Sequence, residues 1–206
     1  MTTLVIIRHC ETEGNVRGEM QGYYNDSAFT EKGKDQAELL LKKLGTEKIN
    51  AVYCSDLGRA IKTAQVISQA HNLKLIALKE LREGNIGDWR TLPVKEGIQK
   101  WIEYYEAEKK KGVHREDIRP PNGENSFDHQ RRIMTAIKKI VKQYPKGIVV
   151  IVGHSGTNRV IIGTLEGKDP DDFYKISQDN ACINIVKTDG VTSKVILVND
   201  TTHLQK

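Results

Sequence analysis

The run Leu4-Val5-Ile6-Ile7 places four apolar residues in a row, three of them β-branched, and ends at Arg8-His9 with no turn residue between. A strand with no polar alternation has to be covered on both faces, and a sheet flanked by helices on either side provides that cover. The run Ile148-Val149-Val150-Ile151-Val152 repeats the pattern and leaves through Gly153-His154-Ser155-Gly156. Two buried strands therefore each end in a histidine. In open α/β sheets ligands sit beyond the carboxyl ends of the strands, so the chemistry is expected there.

The segments between these runs alternate helix and strand patterns. Residues 14–25 are rich in Gly, Asn and polar side chains and read as a long loop. Thr30 can cap a helix that turns Ala37, Leu40, Leu41 and Leu44 inward, with Gly45 closing it. Residues 51–54 form a short strand. Ser55 and Asp56 are the expected caps of the next helix, which carries Leu57, Ala60, Ile61, Ala64 and Ile67 inward and Arg59 in its first turn, where anions are favoured. Residues 73–77 are a third strand, and strand-helix-strand order implies parallel pairing.

The rhythm breaks over about 81–123, where Gly84, Gly87, Pro93 and Pro120-Pro121 flank an amphipathic stretch bearing Ile98, Trp101, Ile102 and Tyr105. This reads as an inserted cap over the ligand edge. Trp101, Tyr104 and Tyr105 have helical spacing, so packing within the cap is their expected role. A helix from about Glu124 follows, with Ile133, Ile137, Ile140, Val141 and Tyr144 on one face, ended by Pro145. After the 148–152 strand comes a helix carrying Val160, Ile161 and Leu165. Strands at 181–187 and 191–198 around Asp189-Gly190 form a hairpin at an antiparallel edge. The expected fold is α/β, a doubly wound three-layer sandwich with a mostly parallel central sheet, built as a single domain over residues 1–206 with the cap inserted.

With 206 residues the chain is long enough for one full core. No apolar run approaches the roughly 20 residues of a membrane span, and the N-terminus lacks the apolar core of a secretory signal, so a cytoplasmic protein is expected. Cys10, Cys54 and Cys182 lie in or beside apolar runs without metal-like spacing and read as buried thiols. The formal net charge of +5 favours anionic ligands, but the basic residues are interspersed with acids. Lys109-Lys110-Lys111, the densest basic run, reads as a solvated helix end, so no nucleic-acid partner is expected.

An ordered set of motifs spans nearly the whole chain. It runs through Arg8-His9-Cys10-Glu11-Thr12 with Asn15, Gln21-Gly22, Phe29-Thr30-Glu31-Lys32-Gly33 and Ser55-Asp56-Leu57-Gly58-Arg59-Ala60. It continues through Leu81-Arg82-Glu83, Gly87-Asp88-Trp89, Gly123-Glu124 and Val152-Gly153-His154-Ser155-Gly156. This set resembles the histidine phosphatase superfamily, in its phosphoglycerate-mutase-like branch. The resemblance implies a nucleophilic His9 that holds the phosphoryl group as a phosphohistidine, Arg8 and Arg59 as forks on the phosphate oxygens, and His154 as a further donor. Ser155, which opens the helix behind His154, is expected among the phosphate-binding residues, and Asn15 and Gln21 match positions of the phosphate cradle. Glu83 matches the acid that protonates the leaving alkoxide and then activates water. Arginines and histidines supply the positive charge a metal would bring, so neither metal nor other cofactor is expected.

Three departures from the family pattern stand out. Cys10 occupies a position usually held by a small residue and is expected to pack beside the nucleophile. The stretch Arg90-Thr91-Leu92-Pro93 replaces an acidic residue and glycine in a loop expected to face the substrate. Gly84-Asn85-Ile86-Gly87 follows Glu83 where mutases carry basic residues that hold a bisphosphate. The resemblance therefore implies a phosphatase for small organic phosphates of the phosphoserine, phosphoglycerate or ribazole-phosphate type. A cofactor-dependent phosphoglycerate mutase is the alternative, and an inactive binding protein on the same fold is the third reading. His114, Arg115 and Arg119 could add positive charge over the site for a substrate carboxylate. His71, His114, His129 and His203 read as surface residues, and a homodimer remains open.

Overall fold

The computed structural model describes residues 1–23 and 26–205, apart from the side chain of Asp171. In chain order the elements are β1 (Thr2–Arg8), α1 (Glu13–Val16), α2 (Glu31–Leu44), β2 (Ala51–Ser55), α3 (Gly58–Ala70) and β3 (Leu75–Leu78). Then come α4 (Val94–Lys110), α5 (Ser126–Gln143), β4 (Ile148–Gly153), α6 (Ser155–Glu166), β5 (Ile183–Thr188) and β6 (Ser193–Asp200). The six strands form one sheet in the order β3-β2-β4-β1-β5-β6. β1 to β4 pair in parallel, and β5 runs antiparallel to both β1 and β6, so the hairpin forms the expected antiparallel edge.

Strand alternation sorts the core into two layers. Leu4, Ile6, Tyr53, Val149 and Ile151 point to one face and pack on Ile133, Ile137 and Ile140 of α5 and Ile161 of α6. Val5, Ile7, Val52, Cys54, Val150 and Val152 point to the other, against Leu40 and Leu44 of α2 and Ala60, Ala64 and Ile67 of α3. Both faces of the central strands are thus dry, which is why their sequences carry no polar alternation. Each fully buried Ile or Leu contributes about 1.5–3 kcal/mol relative to an exposed one. All three cysteines are buried free thiols. No helix among the described residues is long and apolar enough to cross a membrane.

Several local expectations are corrected. The expected loop over 14–25 begins with the short helix α1, set by a capping box in which Thr12 and Asn15 satisfy each other's backbone; its last two residues, Tyr24 and Asn25, lie outside the described residues. Gly45 does follow α2, but at φ −61°, so its left-handed freedom is not used. α3 is capped neither by Ser55 nor by Asp56. Asp26 takes the Gly58 N–H at 2.6 Å, while Asp56 is committed to a bidentate pair with Arg82 at 2.6 and 2.7 Å. α5 starts one residue after Asn125, whose side chain accepts the Asp128 N–H, rather than at Glu124.

Within residues 81–123, Trp89 packs against Trp101 and Tyr104, with ring centroids 6.1 and 5.4 Å away, and Tyr105 stands 5.7 Å from Trp101. Lys109, Lys110 and Lys111 lie exposed at the end of α4.

Candidate active site

The register of two parallel strands builds the site. Arg8 of β1 pairs with Gly153 of β4, so the next residue on each strand is a histidine, and the His9 N–H donates to the Gly153 carbonyl at 3.0 Å. The two rings meet edge to face with centroids 5.3 Å apart. β2, on the far side of β4, leads into α3, whose second residue is Arg59, 2% exposed. Glu83 follows the 3₁₀ turn Lys79–Leu81 beyond β3. Three strand exits and the loop beyond a fourth converge at one end of the sheet.

His9 Nδ1 lies 2.8 Å from the Cys10 carbonyl. A carbonyl can only accept, so Nδ1 carries the proton and Nε2 keeps its lone pair. Burial, then the charges of Arg59 and Arg8, hold His9 well below the ordinary imidazole value of 6.5, against the opposing bond to Cys10. Burial likewise holds His154 well below that value, followed by the charges of Arg59 and Arg8. Both rings are neutral near pH 7. Burial pushes the Cys10 thiol up to about 12, which makes it a packing neighbour and no nucleophile near neutral pH.

Arg59 Nη1 pairs with Asp26 at 3.0 Å and Nη2 donates to the Gly22 carbonyl at 3.0 Å. Arg8 Nη1 donates to the Gln178 carbonyl at 2.6 Å. The Nε atoms of both arginines and both ring nitrogens of His154 are buried without a partner among the described residues. Buried donors are almost always satisfied, so this cluster marks where an anion fits.

Asn15 Oδ1 accepts from Thr12 and Asn180, which turns its amide nitrogen into the donor left for a ligand. Gln21 lines the cavity; its Oε1 accepts from Thr12 and Ser27 and its Nε2 donates to Thr12, which fixes the carboxamide on the loop and engages one of its two N–H groups. Glu83 accepts the N–H groups of Gly84, Gly156 and Thr157 at 3.0, 2.9 and 3.1 Å, capping α6 behind Ser155. A Cβ on Gly156 would stand 2.5 Å from Glu83 Oε1, so glycine is required for this approach.

Arg8, His9, Asn15, Gln21, Arg59, Glu83, His154 and Ser155 all border one cavity of about 530 Å³, a size suited to a small metabolite. The structure thus brings every expected site residue together. A model of the histidine phosphatase superfamily (branch 1) matches residues 4–201. The chain belongs to that superfamily.

Among its relatives, Phosphoserine phosphatase 1 of Hydrogenobacter thermophilus is 29% identical over 204 residues, covering 99% of this chain and 95% of that protein. The 2,3-bisphosphoglycerate-dependent phosphoglycerate mutase of Bartonella henselae is 34% identical over 209 residues, covering 95% and 98%. The solved structure of YhfR from Bacillus stearothermophilus superposes with a TM-score of 0.84 at 29% identity, covering 100% of both chains. The protein is accordingly a phosphatase of this fold.

Two members of this phosphatase site escaped the sequence reading. His129, expected at the surface, is 8% exposed and borders the cavity beside Gly84. Its signal was the run of four-residue steps from His129 to Ile133 and on to Ile137, which puts it on the inward face of α5. Arg159 also borders the cavity, with Nε donating to the Ile176 carbonyl at 2.8 Å; its spacing of four from Ser155 places it on the same helix face.

Conversely, Arg115 and Arg119 do not line this cavity, and Arg119 is bound bidentately to Asp128 at 2.6 and 3.1 Å. His114 is exposed, while His71 and His203 are half-buried. Arg90, Thr91, Leu92 and Pro93 do not wall the cavity either. Pro93 caps α4, and the next turn supplies Val94 and Ile98 to the rim.

Proposed function

We propose that this histidine phosphatase hydrolyses small phosphomonoesters through a phosphohistidine on His9 Nε2, without a metal. The observation that carries the reading is the His9 ring itself. Its Nδ1 proton is held by the Cys10 carbonyl, and its Nε2 lone pair is free beside a cavity where the Nε groups of Arg8 and Arg59 and both ring nitrogens of His154 are buried without a partner among the described residues.

In the first step, Nε2 attacks phosphorus while the ester P–O bond breaks. Arg8, Arg59, His154 and the Asn15 amide take the charge of the equatorial oxygens, and Glu83 passes a proton to the leaving alkoxide. In the second step water attacks the phosphohistidine and gives its proton to Glu83. The P–N bond then breaks, its electron pair returns to Nε2, and inorganic phosphate departs. The 81–123 segment serves as the cap, with Val94 and Ile98 of α4 on the cavity rim.

Transfer to water is favoured over transfer to a second hydroxyl, because Gly84-Asn85-Ile86-Gly87 offers no cation to retain a bisphosphate. Arg159 supplies a third guanidinium on the cavity wall, which favours esters that also carry a carboxylate, as in phosphoserine or phosphoglycerate, over ribazole-phosphate-type esters. The test is phosphate release from a panel of esters in excess chelator, with a radiolabelled phosphoryl group trapped by rapid quench. Chelator-resistant turnover, an acid-labile, base-stable label on His9, and no activity in His9→Ala are expected. Activity that returns only with added divalent metal, or turnover by His9→Ala, would overturn the reading. Equal rates on carboxylate-bearing and uncharged esters would remove the role given to Arg159.

A further inference from the structure

Beyond one 3₁₀ turn, the stretch that delivers Glu83 has no sheet or α-helix ladder to hold it, so its carbonyls find partners elsewhere. One residue of α5 reaches three of them. Arg132 Nη1 donates to the Glu80 and Arg82 carbonyls at 2.8 and 2.9 Å, and Nη2 donates to the carbonyl of Glu83 itself at 2.8 Å. The remaining donors go to Glu124, with Nε on Oε2 at 2.9 Å and Nη2 on Oε1 at 2.5 Å. Glu124 in turn accepts the Asn85 N–H at 2.9 Å.

The two side chains therefore grip Glu83 from both directions, its own and upstream carbonyls by the guanidinium and a downstream N–H by the carboxylate. Five guanidinium N–H bonds meet five acceptors, a match that the three donors of a lysine cannot reproduce. The side chains are only 20% and 16% exposed, where such a pair is rigid and costly to break from one side. The Tyr23 hydroxyl donates to Glu124 Oε1 at 3.3 Å and stands 3.2 Å from Arg132 Nη2, where it can only share an N–H already engaged, and so links the clamp to the loop beside the phosphate cradle.

We propose that Arg132 and Glu124 are positioning residues for Glu83, fixing the backbone from which its carboxyl reaches the leaving oxygen. The inference rests on the reading of Glu83 as the proton donor. Neither residue touches the reacting atoms. Their effect is geometric, and misplacement of a reacting group by about 1 Å can cost on the order of a hundredfold in rate.

The test compares kcat and KM on alkyl phosphates, whose leaving groups need a proton, with aryl phosphates, whose leaving groups do not. Arg132→Met and Glu124→Gln should lose about 10- to 100-fold in kcat on alkyl phosphates, several-fold or less on aryl phosphates, and leave KM nearly unchanged. Arg132→Lys should recover only part of the loss. In a Glu83→Gln background, adding Arg132→Met should cost almost nothing more on alkyl phosphates, because both changes remove the same function.

Equal losses on the two substrate classes, or full additivity in the double variant, would overturn the proposal. A Glu83→Gln variant that loses both activities equally would instead overturn the donor role on which it stands. If Arg132→Met fails to fold, the near-isosteric Glu124→Gln carries the same expectation and the same refuting result.

Discussion

Lowering the pH from 7.5 to 5.5 should cost the fold about 1.4 kcal/mol at each of His9 and His154. Both rings are held well below 6.5, by burial first and by the neighbouring cations second, and they are 3% and 1% exposed. In the unfolded chain the same imidazoles titrate near 6.5, so below that value the unfolded state binds protons that the native state refuses. Stability therefore falls as pH falls, beginning near 6.5 and continuing until the native rings protonate. One pH unit below 6.5 the unfolded form gains about 1.4 kcal/mol per ring while the native form gains nothing. For a chain of this length about 1 kcal/mol shifts Tm by roughly 2–4 °C, which gives about 3–6 °C per histidine. Thermal unfolding followed by circular dichroism at pH 7.5, 6.5 and 5.5 measures this directly. His9→Gln and His154→Gln each remove one titrating ring, so each should lose about 3–6 °C less than the wild type over the same interval. The comparison cancels carboxylate contributions, which the three proteins share. Parallel pH profiles for all three would refute the claim that these rings are buried neutral.

Two further outcomes follow from the contacts around the site. Gly156→Ala should fold, since the atom it meets is the far end of the Glu83 side chain, but it displaces that carboxylate from the α6 N-terminus. Turnover of alkyl phosphates should drop about tenfold or more with a small change in Tm, and an unchanged rate would show that Glu83 need not sit there. Asp26→Ala removes the acceptor for the Gly58 N–H and the partner of Arg59, so Tm should fall by a few degrees for a lost cap of about 1 kcal/mol. KM for phosphate esters should rise about tenfold as the Arg59 fork loses its orientation, and an unchanged KM would count against that orienting role.

The parts of this protein legible in its sequence are those fixed by burial on both sides. β1 and β4 announce themselves because a strand dry on two faces has no reason to alternate, and their histidines stand out as the first polar side chains after Arg8 and Gly153. What stayed hidden are contacts that local propensity cannot see. Ser55 and Asp56 are good caps by composition, yet Asp26, 32 residues away, takes the Gly58 N–H. Asp56 is unavailable because Arg82 needs a counter-charge in a half-buried position. The dispersion of basic residues along the chain concealed Arg159, since only the helix geometry of α6 turns it toward the cavity. His129 was misplaced because a polar residue at the start of an amphipathic helix reads as exposed unless the period is carried back through it.

If His9 is the nucleophile, as proposed, the two arginines answer a conflict built into nucleophilic catalysis by histidine. An imidazole must be unprotonated to attack phosphorus, yet it becomes cationic as the P–N bond forms. With the cavity free, Arg8 and Arg59 add to burial in keeping a proton off His9, so the lone pair is present near neutral pH. On the proposed route, a bound phosphate dianion neutralises those same guanidiniums, and the repulsion that kept His9 unprotonated is lifted just as charge begins to appear on the ring. A lysine at either position would keep the charge but lose the planar fork that lets one group both shield the free ring and hold two phosphate oxygens. On this proposal the nucleophile is matched to its two states by the same substrate binding that would bring phosphorus within reach.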